Sequence, residues 1–140
     1  MKKTDLAYCA GLFDGEGCIH ISKQYLKKQP PAYYNLRVTI TNTNQYVLEW
    51  FHFSFSGNLY LQKPKENRQR AWRWQIADRQ AEEFLRAILP YLIIKKAEAE
   101  LALKFMAGKG IKGTREIRAE RKVLQEAQRV LMKKLKEPVI

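Results

Sequence analysis

Two carboxylates alternate with glycines near the start of the chain, in Phe13-Asp14-Gly15-Glu16-Gly17. They close a run in which Leu6, Cys9, Ala10 and Phe13 recur at i, i+3, i+4 and i+7, the spacing of one apolar helix face. Thr4 is the expected cap of that helix, and Asp5 suits the positive end of its dipole. The helix is expected to end within residues 15–17, where glycine tolerates the turn. Glu16 is then projected from a helix C-terminus, where the negative dipole end disfavours a further negative charge. A carboxylate in that place calls for a cation, and a divalent metal is the obvious one. Ala7, Gly11 and Gly15 form a second stripe at i, i+4 and i+8. With almost no side chain, such a stripe lets another backbone come very close.

The stretch Cys9 to Gly17 resembles the signature of the LAGLIDADG homing endonucleases. Ala10, Gly11, Leu12, Asp14 and Gly17 match it directly, while Cys9, Phe13, Gly15 and Glu16 are mild replacements. In that family two such helices pack side by side, and the last acidic residue of each binds catalytic metal. The resemblance therefore implies Glu16 as metal ligand and catalytic residue, with Ala7, Gly11 and Gly15 at a dimer interface. It also implies a site-specific double-strand DNA endonuclease of the kind encoded within introns or inteins. Phosphodiester hydrolysis needs a polarised phosphate and an attacking water, and Mg²⁺ (or another divalent cation such as Mn²⁺) suits a site of carboxylate and water ligands. One carboxylate is too few for a multi-metal site, so a single motif in a short chain argues for a homodimer. The family's basic residue near the catalytic centre corresponds to Lys95, which follows the apolar run after Pro90, with Lys96 as the alternative. Its water-ordering polar residue corresponds to Asn44, with Asn42 the other candidate. Asp14 points elsewhere, to a structural role at the helix ends.

Composition agrees with a polyanionic partner. The 140 residues carry a net charge of +12 and have a pI near 9.8, with an apolar fraction of 46% that supports one core. No run is apolar enough to span a bilayer, and the N-terminus lacks a signal peptide. The expected location is the cytoplasm of a prokaryote or the interior of an organelle, without secretion. Cys9 and Cys18 read as free thiols, and no Cys/His cluster has zinc spacing. No organic cofactor is expected.

The elements that must position these residues follow from periodicity. After Gly17 the period changes to two: residues 18–25 and 33–41 are predicted strands joined by a Lys- and Pro-containing loop. A helix is predicted over 45–55, capped from residues 42–44 and closed by Gly57. Strands at 58–63 and 70–77 form a second hairpin, its turn carrying Lys63, Lys65, Arg68 and Arg70, and a helix follows at about 79–89. The order is αββαββα: an α+β fold with a four-stranded antiparallel sheet, helices on one face, and a saddle shape implied by the resemblance. The whole chain, residues 1–140, reads as one domain with a core of about 4–105 and a C-terminal helical extension. That extension should contain a helix at 95–107 and a last helix capped by Thr114 that runs to about Leu135. Ile117, Leu124, Ala127, Leu131 and Leu135 are its expected buried stripe.

The polar face of the sheet is the candidate DNA reader. Arg pairs with guanine, and Asn and Gln with adenine, through paired hydrogen bonds in the major groove. Gln24, Asn35, Arg37, Gln62, Arg73 and Gln75 are the right types on alternating positions, and none of these outward positions is acidic. His20, Ser22, Thr39, Thr41, Tyr60, Arg68 and Arg70 complete the expected contact set. An alternative function is a non-cleaving DNA- or RNA-binding protein on the same fold, an intron maturase or regulator; retention of Glu16 favours cleavage. A membrane-surface protein would need an exposed apolar face on the basic last helix, and that face is expected in the core.

Overall fold

A computed structural model describes residues 1–64, 66 and 69–138. Helix α1 (Lys3–Glu16) leads into strands β1 (Gly17–Tyr25) and β2 (Ala32–Asn42), helix α2 (Gln45–Phe55), strands β3 (Asn58–Leu61) and β4 (Trp72–Ala77), and helix α3 (Asp78–Ile88). Helices α4 (Lys96–Gly108) and α5 (Arg115–Leu135) complete the chain. The four strands form one antiparallel sheet in the order β1-β2-β4-β3. The expected α+β, αββαββα order with C-terminal helices is the observed one.

Register sorts the side chains. Ile19, Ile21, Leu36, Val38, Ile40, Trp74 and Ile76 are buried on the helix-bearing face. On that face the core closes around Phe84 of α3, whose ring packs against Phe13, Phe51, Phe55 and Trp74 at centroid distances of 5.4, 6.0, 4.8 and 5.2 Å. These four partners come from α1, α2 and β4, so one side chain joins most of the core. Such edge-on aromatic contacts add to the area they bury.

Three local expectations are corrected. Thr4 lies inside α1, which begins at Lys3 with no side-chain cap. Gly17 follows α1 with an extended backbone, φ −81°, so turn tolerance is not what it supplies. A Cβ at Gly17 would come within 2.2–2.6 Å of the Phe13 ring, so close approach is the reason for glycine there. A left-handed turn does close α2, at Ser56 and Gly57 with φ of 63° and 95°.

The third correction concerns α5. Its expected buried stripe is exposed: Ile117, Leu124, Leu131 and Leu135 are 45, 54, 46 and 41% accessible, and Ala127 is exposed as well. Gln125 and Met132 are buried instead. Polar partners choose the face. The Tyr34 hydroxyl donates to Glu126 at 2.7 Å, and Lys122 donates to the Ala32 carbonyl at 2.7 Å while sitting over the Tyr33 ring. Lys136 donates to the Ile19 carbonyl. Arg129 donates to both oxygens of Glu126, and its guanidinium, with the Tyr34 hydroxyl, holds that carboxyl down to about 2. The β1–β2 end of the sheet offers carbonyls and hydroxyls rather than an apolar bed, and α5 presents its polar side to them.

Phe84→Ala removes the ring shared by four aromatic neighbours, and a loss of about 3–5 kcal/mol in unfolding free energy is expected. Urea denaturation checks this; a loss under about 1 kcal/mol, typical of a half-exposed site, would show that the core does not depend on it.

Candidate active site and nucleic-acid interface

Cys9, Ala10 and Phe13 bury one side of α1, which leaves Ala7, Gly11 and Gly15 on its outer side. A Cβ at Gly11 or Gly15 would meet nothing within 4 Å, so this stripe is open in the single chain. Two large apolar side chains stand at its end: Ile93 and Ile94, 85 and 73% accessible.

The turn that carries them is tied to α1 by Asp14. One carboxylate oxygen accepts from the Ile93 amide at 2.8 Å, and the other from the Lys95 amide at 3.0 Å. The Lys95 ammonium donates to the Asp14 carbonyl at 2.7 Å. Burial pushes the Asp14 carboxyl up, but amide donors from Ile93, Lys95 and Ile94, with the Lys95 charge, outweigh it and hold it below the usual range. This contact places Lys95 near the C-terminal end of α1, on a residue two positions before Glu16. Lys96 is exposed on the first turn of α4.

Glu16 is exposed at the last position of α1. Its Oε2 accepts from the side-chain amide of Asn42, at the end of β2. Asn42 is itself oriented, because its Oδ1 accepts from the Asn44 amide at 2.7 Å. Asn44 is the expected cap of α2 and does not reach Glu16: its side chain accepts from the Val47 amide at 3.1 Å. The residue beside Glu16 is thus Asn42, and Asn44 acts on it through the backbone. Register explains the exchange. Asn42 pairs with Trp72 on the helix-bearing face, in line with Ile40 and Val38, whereas Asn44 has left the strand.

Two nearby side chains escaped sequence reasoning. Glu98 is buried on α4, and its Oε2 has no hydrogen-bond partner among the described residues. Burial raises its carboxyl above the usual range, against the lowering charges of Lys136 and Lys95. With Lys95, Cys18 and Lys136 it borders a cavity of about 310 Å³ beside Gly17. The signal for Glu98 was its spacing from Leu101, Ala102 and Phe105, the buried stripe of α4. Lys136 gave no such signal. Cys9 is inert: burial, then the charge of Asp5, pushes its thiol up to about 12.

The opposite sheet face gathers the polar strand residues. Across the strands His20 pairs with Arg37, Ser22 with Asn35, Thr41 with Arg73, and Tyr60 with Arg73. Gln75 pairs with Thr39 and Asn58 on the same face. Side-chain bonds fix the arginines: Arg37 donates to Ser22 and Arg73 to Thr41, both at 3.4 Å. Thr41, Tyr60, Gln62 and Arg73 line a groove of about 710 Å³. Arg70 is exposed beside it, and Gln24 is exposed at the far end of β1, opposite Tyr33. His20, on the same face of β1, is held below its usual pKa by burial and then by the charges of Lys136, Arg37 and Arg73. Two expected contacts are differently placed. Thr39 is only 4% accessible and lies beneath its longer neighbours. The Asn35 oxygen accepts from Lys109 at 2.7 Å, and Lys109 also pairs with Asp78 at 2.8 Å. Lys65 and Arg68 lie outside the described residues.

Comparison with known proteins places this geometry in context. The family model described as "LAGLIDADG endonuclease" matches residues 9–106. No curated protein sequence matches the chain. The fold is similar to that of an archaeal intron-encoded homing endonuclease, I-Vdi141I, solved in complex with DNA. The TM-score is 0.77 at 15% identity, over 100% of this chain and 89% of that one. It is similar also to the homing endonuclease I-CvuI in complex with its target in the presence of Ca, with TM-score 0.68 at 18% identity over 97% of both chains. Against the LAGLIDADG homing endonuclease I-GzeII in complex with a DNA target, the TM-score is 0.67 at 17% identity. There 89% of this chain covers 43% of a longer one.

Asp14→Asn removes one of two acceptors and turns an amide toward a backbone N–H, so a loss of about 1–3 kcal/mol is expected at pH 7. Because the folded carboxyl titrates below its unfolded value, its stabilisation is present above about pH 3.9 and fades as pH falls through the folded value. Wild-type and variant unfolding curves should converge below about pH 4; a gap that stays constant down to pH 2 would mean that the charge of Asp14 contributes nothing.

Proposed function

The chain belongs to the LAGLIDADG endonuclease family, and we propose that it is a homodimeric, divalent-metal-dependent, site-specific double-strand DNA endonuclease. The observation that carries the reading is the Glu16–Asn42 contact at the open end of α1. It joins an exposed carboxylate to an oriented amide, beside a lysine whose position is fixed by Asp14. Pairing through Ala7, Gly11 and Gly15, extended by Ile93 and Ile94, would cover the exposed apolar surface at this end and bring two such carboxylates together.

The donor set fits Mg²⁺. Each chain supplies one carboxylate from Glu16, whose Oε2 is held by Asn42, and Mg²⁺ takes few carboxylates and keeps much of its water. Among the described residues no group of three His, Cys, Asp or Glu side chains could hold a metal within one chain, so a shared site across a two-fold axis is the arrangement that supplies enough charge. When bound, the metal supplies Lewis acidity toward a phosphate oxygen and a more acidic water. Asn42 orients Glu16 and can order a water against it. Lys95 uses one donor on the Asp14 carbonyl and has two further protons to set against phosphate charge.

The polar sheet face lies over successive major grooves in this reading. Strand β2 has 11 residues and spans about 36 Å at about 3.3 Å per residue, matching roughly ten base pairs at about 3.4 Å each. Two subunits would then read a pseudo-palindrome of about 20 base pairs.

Glu16→Gln keeps the side chain's shape and its place beside Asn42 while removing the charge. Cleavage of a bound target should fall by at least about 10²–10³-fold, the cost of losing one electrostatic partner of the transition state, with DNA affinity in Ca²⁺ unchanged. A variant that cuts at the wild-type rate would remove Glu16 from the mechanism.

A further inference from the structure

The exposed stripe of α5 has no partner in the single chain. Ile117, Val123, Leu124, Val130, Leu131 and Leu135 are 39–72% accessible on one helix. At 3.6 residues per turn they share one broad side, centred between Leu124 and Ala127. An amphipathic helix that turns its apolar side outward marks a surface awaiting a cover.

Charge on the same side selects the cover. Glu116 and Glu120 lie in its N-terminal half, and Lys134 in its C-terminal half. Glu120 and Lys134 are exposed and have no ion pair among the described residues. A helix of the same sequence laid antiparallel, with Ala127 facing its own copy, sets Glu120 against Lys134 twice. The same register sets Val123 against Leu131 and Leu124 against Val130. Ala127 has the small side chain that close contact on a two-fold axis requires. A parallel pair would instead align like charges.

We propose that the outward side of α5 seats a second copy of this chain, antiparallel across a two-fold axis at Ala127. Because α5 joins the rest of the fold through the helix-bearing side of the sheet, by way of Tyr34, this contact leaves the polar sheet face free. It is also separate from the α1 stripe. The consequence rests on the α1 pairing of the proposed function: with both two-fold surfaces engaged the chain assembles beyond a dimer, and such an assembly holds more than one DNA duplex at once.

Sedimentation of the full chain over a range of concentrations tests the proposal. The wild type should reach at least twice the mass of Leu131→Glu at the same concentration, whether or not α1 also pairs. Glu120→Lys and Lys134→Glu should each lower the mass, and the combined Glu120→Lys/Lys134→Glu variant should restore it. These positions are exposed, and circular dichroism confirms that the variants fold. Equal masses for wild type and Leu131→Glu would overturn the proposal, as would failure of the charge exchange to restore association. Loss of binding to phosphatidylglycerol vesicles in Leu131→Glu, with no change in mass, would assign the face to a lipid surface and overturn it as well.

Discussion

The carboxylate of Asp14 is the contact on which the geometry of this molecule turns. It accepts two backbone amides from a turn nearly eighty residues away and, through its own carbonyl, the ammonium of Lys95. A carboxylate near the C-terminal end of a helix is unfavourable by itself, because it adds to the negative dipole end. Here the amide donors and the lysine charge overcome both that and the cost of burial. The same contact that satisfies Asp14 therefore delivers Lys95 to the end of α1 and presents Ile93 and Ile94 beside the glycine stripe.

The two acidic residues of the motif divide the work by direction. Asp14 faces inward, is 8% accessible, and ties elements together. Glu16, two positions on, faces outward and, among the described residues, bonds to Asn42 alone. The remaining layers serve this division. Phe84 and its aromatic neighbours fix α1 over the sheet, and the antiparallel register collects polar side chains on the face that α1 and α3 leave bare. The sheet end beyond β4 is held by Lys109, which bridges Asn35 and Asp78; the Asp78 carboxylate also accepts the Leu36 amide.

Much of this is legible in the sequence because it is local. The change from a 3.6-residue to a two-residue period at Gly17 marks the α1–β1 junction to within a residue. Alternation separates Arg37 and Arg73 from Val38 and Trp74 with no tertiary knowledge. What failed depended on contacts between distant residues. Asn42 and Asn44 are chemically alike and two positions apart, and only the strand's end decides which one meets Glu16. The α5 stripe illustrates the opposite limit. Its periodicity is strong, but periodicity reports that a face is apolar, not what covers it. The carbonyls of Ile19 and Ala32 and the hydroxyl of Tyr34, all far away in sequence, turned that face outward.

In the proposed function, two copies of Glu16, brought together by α1, cut DNA at a long symmetric site. Incubating the protein with a randomised duplex library, with and without Mg²⁺, and sequencing the ends tests it most directly. Mg²⁺-dependent double-strand breaks are expected at a pseudo-palindrome of about 20 base pairs, with the strongest preferences in the two arms and weak preference at the centre. Binding to a selected site without breaks at any divalent-metal concentration, or breaks at a short asymmetric site specified most strongly at its centre, would contradict it.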